Sequence, residues 1–481
     1  MTPLLLILSI LAVASSLMFM LFACVIKYKK EIAFLFSLST LFILLYSGSS
    51  IFYQDINIPW FKALSIDFHL KVDQLSLLFL YLTAIIFPIV ILSVKSREDS
   101  SSLYGLILAL QTFLVIFFTA RDLVVFTLFW EATLLPIYFI LTLSGGQGRT
   151  ESRTENRKMA ALKFIVYMIA GSFLLVAALL SLYFSAASQL GTGSFDIDVL
   201  KNFADALPQA TLLFTIFLLA FAVKTPLFPF HAWLPDAYTE ASTAGTIILS
   251  AVLSKMGIYG MFRIGFELFP SHIETVAVYA LPLAIFSVLY GAIAAWMQND
   301  YKRLIAYSSF SHVNFIVAGF FVPSIIGHTG ALLQVLNHGV IITGLFLVAS
   351  FLEDRIQTRA LYEHRGLAKY LPRLCWLTLV FILASVSLPG TNNFIGELLI
   401  FIGIFEVHPY YTPVLGLSII LSAVYSLRYM QLNFFGKDLV VAPPYSDIGA
   451  KEMLLVAPLI IIIFLIGIYP QIILPHLGVA K

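Results

Sequence analysis

The sequence predicts an all-α polytopic membrane protein of about fourteen transmembrane helices, built as two inverted five-helix repeats with discontinuous helices 7 and 12. Three observations carry this expectation. Hydrophobic residues make up 60% of the 481-residue chain and charged residues only 11%, against roughly 25% charged in soluble domains. Apolar runs of about 20 residues, the length that crosses a bilayer, recur from end to end. The basic residues gather in every second connection between those runs.

The approximate spans are residues 3–26, 32–52, 74–94, 102–120, 122–143, 159–185, 210–230, 243–263, 274–297, 304–322, 326–352, 373–405, 413–435 and 453–474. No basic residue precedes the first run, and Lys27, Lys29 and Lys30 follow it. A signal peptide shows the reverse order, so the first run is expected to be a permanent span with its N-terminus outside the cytoplasm. On that orientation the cytoplasmic connections hold 19 of the 28 Lys and Arg and the opposite side holds 6, in agreement with the positive-inside rule. The remaining three, Lys163, Lys224 and Lys255, fall well within spans.

Composition also excludes function classes. A net charge of +2 is too small to point to nucleic acid. Cys24 and Cys375 show no metal-ligand spacing, and there is no GxGxxG or Walker loop. The chain is therefore expected to hold no metal, no cofactor and no redox centre of its own, with the lipid bilayer as its first partner.

Three spans look discontinuous. Pro226 and Pro229 interrupt the seventh, the eleventh starts at Pro323 and carries Gly327, Gly330, Gly339 and Gly344, and the twelfth contains SLPGTNN at 387–393. Broken backbone at membrane depth is tolerated only where protein or a water-filled cavity satisfies the freed groups. Spans seven and twelve are five apart. This offset divides the chain into helices 1–3 (1–100), a first repeat of helices 4–8 (101–263), a second of helices 9–13 (274–435) and helix 14 (436–481).

Ionisable residues inside the spans supply the candidate chemistry: Glu131, Lys163, Lys224, Lys255, His312, His338 and Glu397. Each charge at a helix centre costs on the order of 2.5–3.5 kcal/mol on insertion scales, a heavy burden for a scaffold. A buried lysine changes proton affinity when a carboxylate approaches or withdraws, so Glu131 and Lys224 suggest a switch. Lys255 lies too far into its span to reach the interface. His312 follows Ser308, Ser309 and Ser311, while Gln334 and His338 share a helix face, which gives two polar stripes suited to ordered water. Glu397 follows the twelfth-span break, where it could be a proton exit carboxylate or a helix-start residue favoured by the dipole, and the apolar run around it favours the first. Lys163 and His231 are accessory candidates, Lys163 with snorkelling as the competing reading and His231 with a solvated connector face.

FWEATLLPIYFIL, KTPLFPFHAWLPDAYTEASTAG, LSKMGIYGMFRIG, YSSFSHVNF and LPGTNNFIGE resemble the antiporter-like membrane subunits of NADH:quinone oxidoreductase, respiratory complex I, and most closely the chain M or mitochondrial subunit 4 type. The resemblance covers residues 100–435. It implies a fourteen-helix fold with broken helices 7 and 12, proton translocation coupled to quinone reduction in other subunits, and neighbouring membrane subunits of the complex, antiporter-like ones above all, as partners. It also implies a bacterial inner-membrane location. Glu131, Lys224 and Lys255 match the family's fifth-, seventh- and eighth-helix residues, His312 and His338 its central hydrophilic axis, and Glu397 its exit residue. Sister and Mrp-type subunits usually have lysine at the Glu397 position. Ser242 stands where the family commonly has proline, and Thr391–Asn393 replace a more usual glycine-containing segment. The competing readings are an Mrp-type cation/proton antiporter subunit, a membrane-bound hydrogenase-type relative, and a structural spacer with static ion pairs.

Overall fold

The computed structural model describes residues 28–47, 55–143, 151–363, 365–436 and 446–476. The expected first span at 3–26, Cys24 and His364 lie outside the described residues. Eleven described helices are long and apolar enough to cross a membrane, and two shorter apolar ones accompany them. The chain is a multi-pass membrane protein. It separates into two units, one of Met1–Thr225, Glu240–Ile248 and Val252–Val278, the other of Pro226–Thr239, Leu249–Ala251 and Tyr279–Lys481.

In the first unit, α1 (Lys29–Ser47) leads to a hairpin of β1 (Asp55–Phe61) and β2 (Ile66–Lys71), paired antiparallel with Asp55 opposite Lys71. This hairpin was not anticipated from the sequence, since its strands are too short to register against the surrounding apolar runs. The helices α2 (Gln74–Ser93), α3 (Ser101–Thr119), α4 (Leu123–Ala132), α5 (Leu134–Leu143), α6 (Glu151–Leu190) and α7 (Ala210–Lys224) follow. Polar residues fix their starts: Asp73, Ser100 and Asp122 accept hydrogen bonds from first-turn amides of α2, α3 and α4, as N-caps do. A short α8 (Trp233–Glu240) belongs, but for its last residue, to the second unit, and the helix Thr243–Leu268, α9, contains one π-helical turn at Leu249–Leu253.

The second unit continues with α10 (Ile273–Trp296), whose first turn belongs to the first unit, then α11 (Tyr301–Phe321), α12 (Ile325–Ile356), α13 (Pro372–Ser385), α14 (Asn392–Val407), α15 (Tyr411–Asn433) and α16 (Ala450–Ile468). The seventh span ends as a helix at Lys224, and the twelfth is broken between α13 and α14. The eleventh is not discontinuous. Pro323 precedes the Ser324 N-cap and α12 runs unbroken for 32 residues. Its glycines serve packing instead: a Cβ at Gly330 would lie 2.7 Å from the Ile400 amide nitrogen and 2.9 Å from the Gly396 carbonyl oxygen. Only a glycine lets α12 and α14 approach so closely.

Two of the six basic residues assigned to the non-cytoplasmic side, Arg121 and Arg263, are buried. Arg263 Nη2 donates to Asp73 Oδ1 at 2.9 Å and its Nη1 to Asp73 and Glu267, while Arg121 Nη2 donates to Asp198 and Glu267 at 2.7 Å each. Burial would raise the Asp73 carboxyl, but the Arg263 charge and the hydrogen bonds it receives hold it well below the usual carboxylate range. The network ties the start of α2 to the end of α9.

His69 on β2 clamps the hairpin. Its Nε2 lies 2.8 Å from Asp55 Oδ1 and its Nδ1 2.6 Å from Asp196 Oδ2. Burial alone would lower its pKa, but the two carboxylates outweigh burial and raise it above 6.5. A histidine raised on folding contributes stability in full below its unfolded pKa, and that stability is lost as pH rises through the folded value. Hydrogen exchange of the 55–71 amides in the membrane-embedded protein is therefore expected to accelerate, beyond the intrinsic base dependence, as pH climbs above the ordinary histidine range. A His69→Gln variant should lack that extra pH step.

Candidate functional site

Lys224 is the last residue of α7 and is 2% exposed. Its Nζ donates to the Trp130 carbonyl oxygen at 3.1 Å and to Thr133 Oγ1 at 3.2 Å, and it lies 4.0 Å from the centroid of the Trp130 ring. These groups sit at the C-terminal end of α4, where helix carbonyls lack intrahelical donors and the dipole favours a cation. Phe117, Phe126 and Phe221 pack around the indole with centroids 5.7–6.3 Å away. Glu131, next in sequence to Trp130, is half-buried, and its Oε1 is buried without a hydrogen-bond partner. The lysine is held by a carbonyl and a hydroxyl while the carboxylate stands nearby.

Lys255 is fully buried in α9, just past the π-helical turn, a feature frequent at functional sites. Gly257 and Gly260 bring α9 onto α7: a Cβ at Gly257 would meet the Phe221 carbonyl oxygen at 2.6 Å, and one at Gly260 the Phe221 ring at 2.6 Å. The two lysines thus lie on helices in close backbone contact. Lys163 is half-buried on α6, about two turns before Gly171, which packs on Val223 of α7.

In the second unit the break between α13 and α14 supplies donors to Glu397, which is 5% exposed. Ser387, in the left-handed region at φ 61°, donates its hydroxyl to Glu397 Oε2 at 2.6 Å. Asn393 Nδ2 donates to Oε1 at 3.0 Å, Gln334 Nε2 reaches it at 3.4 Å, and His312 Nδ1 lies 3.0 Å from it. Gln334 also donates to Asn393 Oδ1 at 2.5 Å, and Asn337 to the Asn392 carbonyl at 2.7 Å. The polar stripe of α12 therefore reaches both the broken segment and the carboxylate. His338 stands with its ring centroid 6.0 Å from that of His312. A cavity giving water about 10 Å³ borders His312, Glu397, Ser311, Ser418 and Ser422, room for about one molecule. Ser308 bonds Tyr425 at 2.8 Å, and Ser311 donates to the Val288 carbonyl at 2.8 Å, so the α11 stripe anchors helices as well as lining the cavity.

His231 is buried among Phe228, Tyr290 and Phe310, with ring centroids 4.8–5.5 Å away. It occupies an aromatic box rather than a solvated connector face. Asp236 accepts from Arg303 Nη1 at 2.9 Å.

A family model described as "NADH:quinone oxidoreductase/Mrp antiporter, TM" matches residues 120–422. The chain belongs to this family. NADH-quinone oxidoreductase subunit M of Rickettsia conorii is 35% identical over 448 residues, covering 91% of this chain and 87% of the relative. Subunit M of Escherichia coli K12 is 34% identical over 422 residues, with 87% and 82% covered. Among solved structures, respiratory complex I from Thermus thermophilus with bound NADH contains a chain matching at TM-score 0.87 and 29% identity, over 98% of both chains. A chain of the Mrp complex from Dietzia sp. DQ12-45-1b reaches the same TM-score at 19% identity, over 99% of this chain and 97% of that one, a likeness of fold.

For this member of the family the structure brings together two of the anticipated groups, Glu131 with Lys224 and His312 with His338 and Glu397. Sequence reasoning passed over Trp130, Thr133 and Ser387. Trp130 and Thr133 flank Glu131 in FWEATLLP and carry no charge to single them out, and Ser387 matters through a backbone conformation no motif encodes. Replacing Gln334 with Leu strips a donor from Glu397 and leaves the buried Asn393 Oδ1 without its amide. Thermal unfolding in native membranes should show a loss of about 1–3 kcal/mol, and an unchanged transition would mean the cage does not depend on that amide.

Proposed function

We infer that the chain is a proton-translocating membrane-arm subunit of NADH:quinone oxidoreductase, of the subunit M type. The single observation that carries the mechanism is the seat of Lys224: an enclosed ammonium on a carbonyl and a hydroxyl, beside a carboxylate with one buried oxygen that has no hydrogen-bond partner. A structural spacer would be expected to close such charges into a static ion pair. Relatives named subunit M, 34–35% identical over more than four-fifths of each chain, support this reading over an Mrp-type antiporter, as does a glutamate at position 397.

Other membrane subunits of the complex are its partners. On this reading electrons pass elsewhere in the complex and the chain carries no redox centre of its own, in keeping with a sequence that has two cysteines without metal-ligand spacing and no GxGxxG or Walker loop. Lys224 holds a proton and Glu131 sets its affinity. From there the proton passes by Lys255 to the His312 and His338 pair, with water between, and leaves through Glu397. Lys163 is accessory to Lys224. The buried, aromatic-packed His231 is accessory on the entry side. We assign helices 4–8 and 9–13 as inverted repeats with an N-terminus outside the cytoplasm, on the paired helix breaks and the distribution of Lys and Arg.

Glu131→Ala and Lys224→Ala in the assembled complex should each lower proton pumping and coupled quinone reduction by about tenfold or more, as loss of a positioned proton carrier does, while native gels show normal assembly. Full pumping by either variant would contradict the mechanism. Defects confined to assembly would favour the spacer.

A further inference from the structure

The turn Trp130–Thr133 does more than neighbour Glu131. We propose that it is a second, built seat for the Lys224 ammonium, occupied when the lysine is away from Glu131, and that Thr133 is the positioning residue that gives the switch its second stable position. The proposal rests on the proton-translocation reading above and specifies how its first step is held.

Three contacts converge on one nitrogen. Nζ donates to the Trp130 carbonyl oxygen and to Thr133 Oγ1, and the Trp130 ring face lies 4.0 Å away. Thr133 Oγ1 in turn donates to the same Trp130 carbonyl at 2.8 Å, which fixes the hydroxyl so that a lone pair is left for the ammonium. Thr133 is fully buried and Trp130 nearly so, so no solvent competes for these sites. A carbonyl at a helix C-terminus, an oriented hydroxyl and an aromatic face together replace much of the water an ammonium loses on burial.

The geometry also explains why Glu131 can act without contact. It has a buried oxygen without a hydrogen-bond partner and lies on the same turn as the seat. A short swing of the lysine side chain exchanges one set of acceptors for the other. With only a carboxylate available, the amine would have one position, and the pair would be a static bridge. With two, the proton stays on Lys224 at either, and release follows only when both are disfavoured.

A hydrogen bond to a charged group changes the occupancy of such a seat by about tenfold. The test uses the assembled complex in proteoliposomes, with protons pumped per NADH oxidised as the readout and native gels for assembly. Thr133→Val, nearly isosteric but without the hydroxyl, should lower the ratio severalfold. Thr133→Ser should restore parental pumping, and Thr133→Ala takes the place of the valine variant should the latter fail to assemble. Lys224→Ala runs in parallel. Parental pumping by Thr133→Val and Thr133→Ala beside a Lys224→Ala that does not pump overturns the second seat and leaves the translocation reading standing. Equal impairment of Thr133→Ser and Thr133→Val also overturns it, since the hydroxyl would then not be the operative feature. Parental pumping by Lys224→Ala overturns the reading itself.

Discussion

A charge enclosed in a membrane protein persists only where hydrogen-bonding groups stand in for the water it has lost. The contact of Lys224 Nζ with the Trp130 carbonyl and Thr133 hydroxyl is the clearest instance here. It sets what the surrounding sequence must do: α4 must end at Thr133, and its freed carbonyl must point at α7. The aromatic residues around Trp130 must hold the ring in place. Gly257 and Gly260 then allow α9, with Lys255, to lie against the same helix.

The second unit solves the same problem for an anion. Glu397 gathers donors from a serine in a left-handed backbone conformation, an asparagine, a glutamine and a histidine. The helix break that would be a liability in lipid supplies two of those donors. In each unit a terminated helix provides the polar groups, carbonyl ends for the cation and the broken segment's side chains for the carboxylate. The ionisable residues and the broken helices are one design.

Much of this was legible in the chain. Apolar runs and the alternation of Lys and Arg are global signals, so the membrane class followed from them directly, and a lysine or glutamate inside such a run stands out without a structure. Pro226 and Pro229, and the SLPGTNN segment, marked helix breaks because proline and glycine disturb backbone hydrogen bonding locally. The same logic misread Pro323 and the α12 glycines. There the proline lies outside the helix and the glycines answer to neighbouring side chains and backbone, a tertiary constraint with no local signature. The network of Arg121 and Arg263 was not legible because it joins carboxylates distant in sequence: 190 residues separate Arg263 from Asp73 and 146 separate Arg121 from Glu267. Trp130, Thr133 and Ser387 contribute through a carbonyl, a hydroxyl orientation and a positive φ, none of which composition or spacing records.

In the proposed mechanism protons taken up at the Glu131 and Lys224 group leave by way of Glu397. The most direct test is the number of protons translocated per electron pair by the assembled complex carrying Glu397→Gln, a change that keeps the side chain's size and most of its hydrogen bonds. The account predicts a reduced ratio with normal assembly. A ratio equal to that of the parent complex would contradict it.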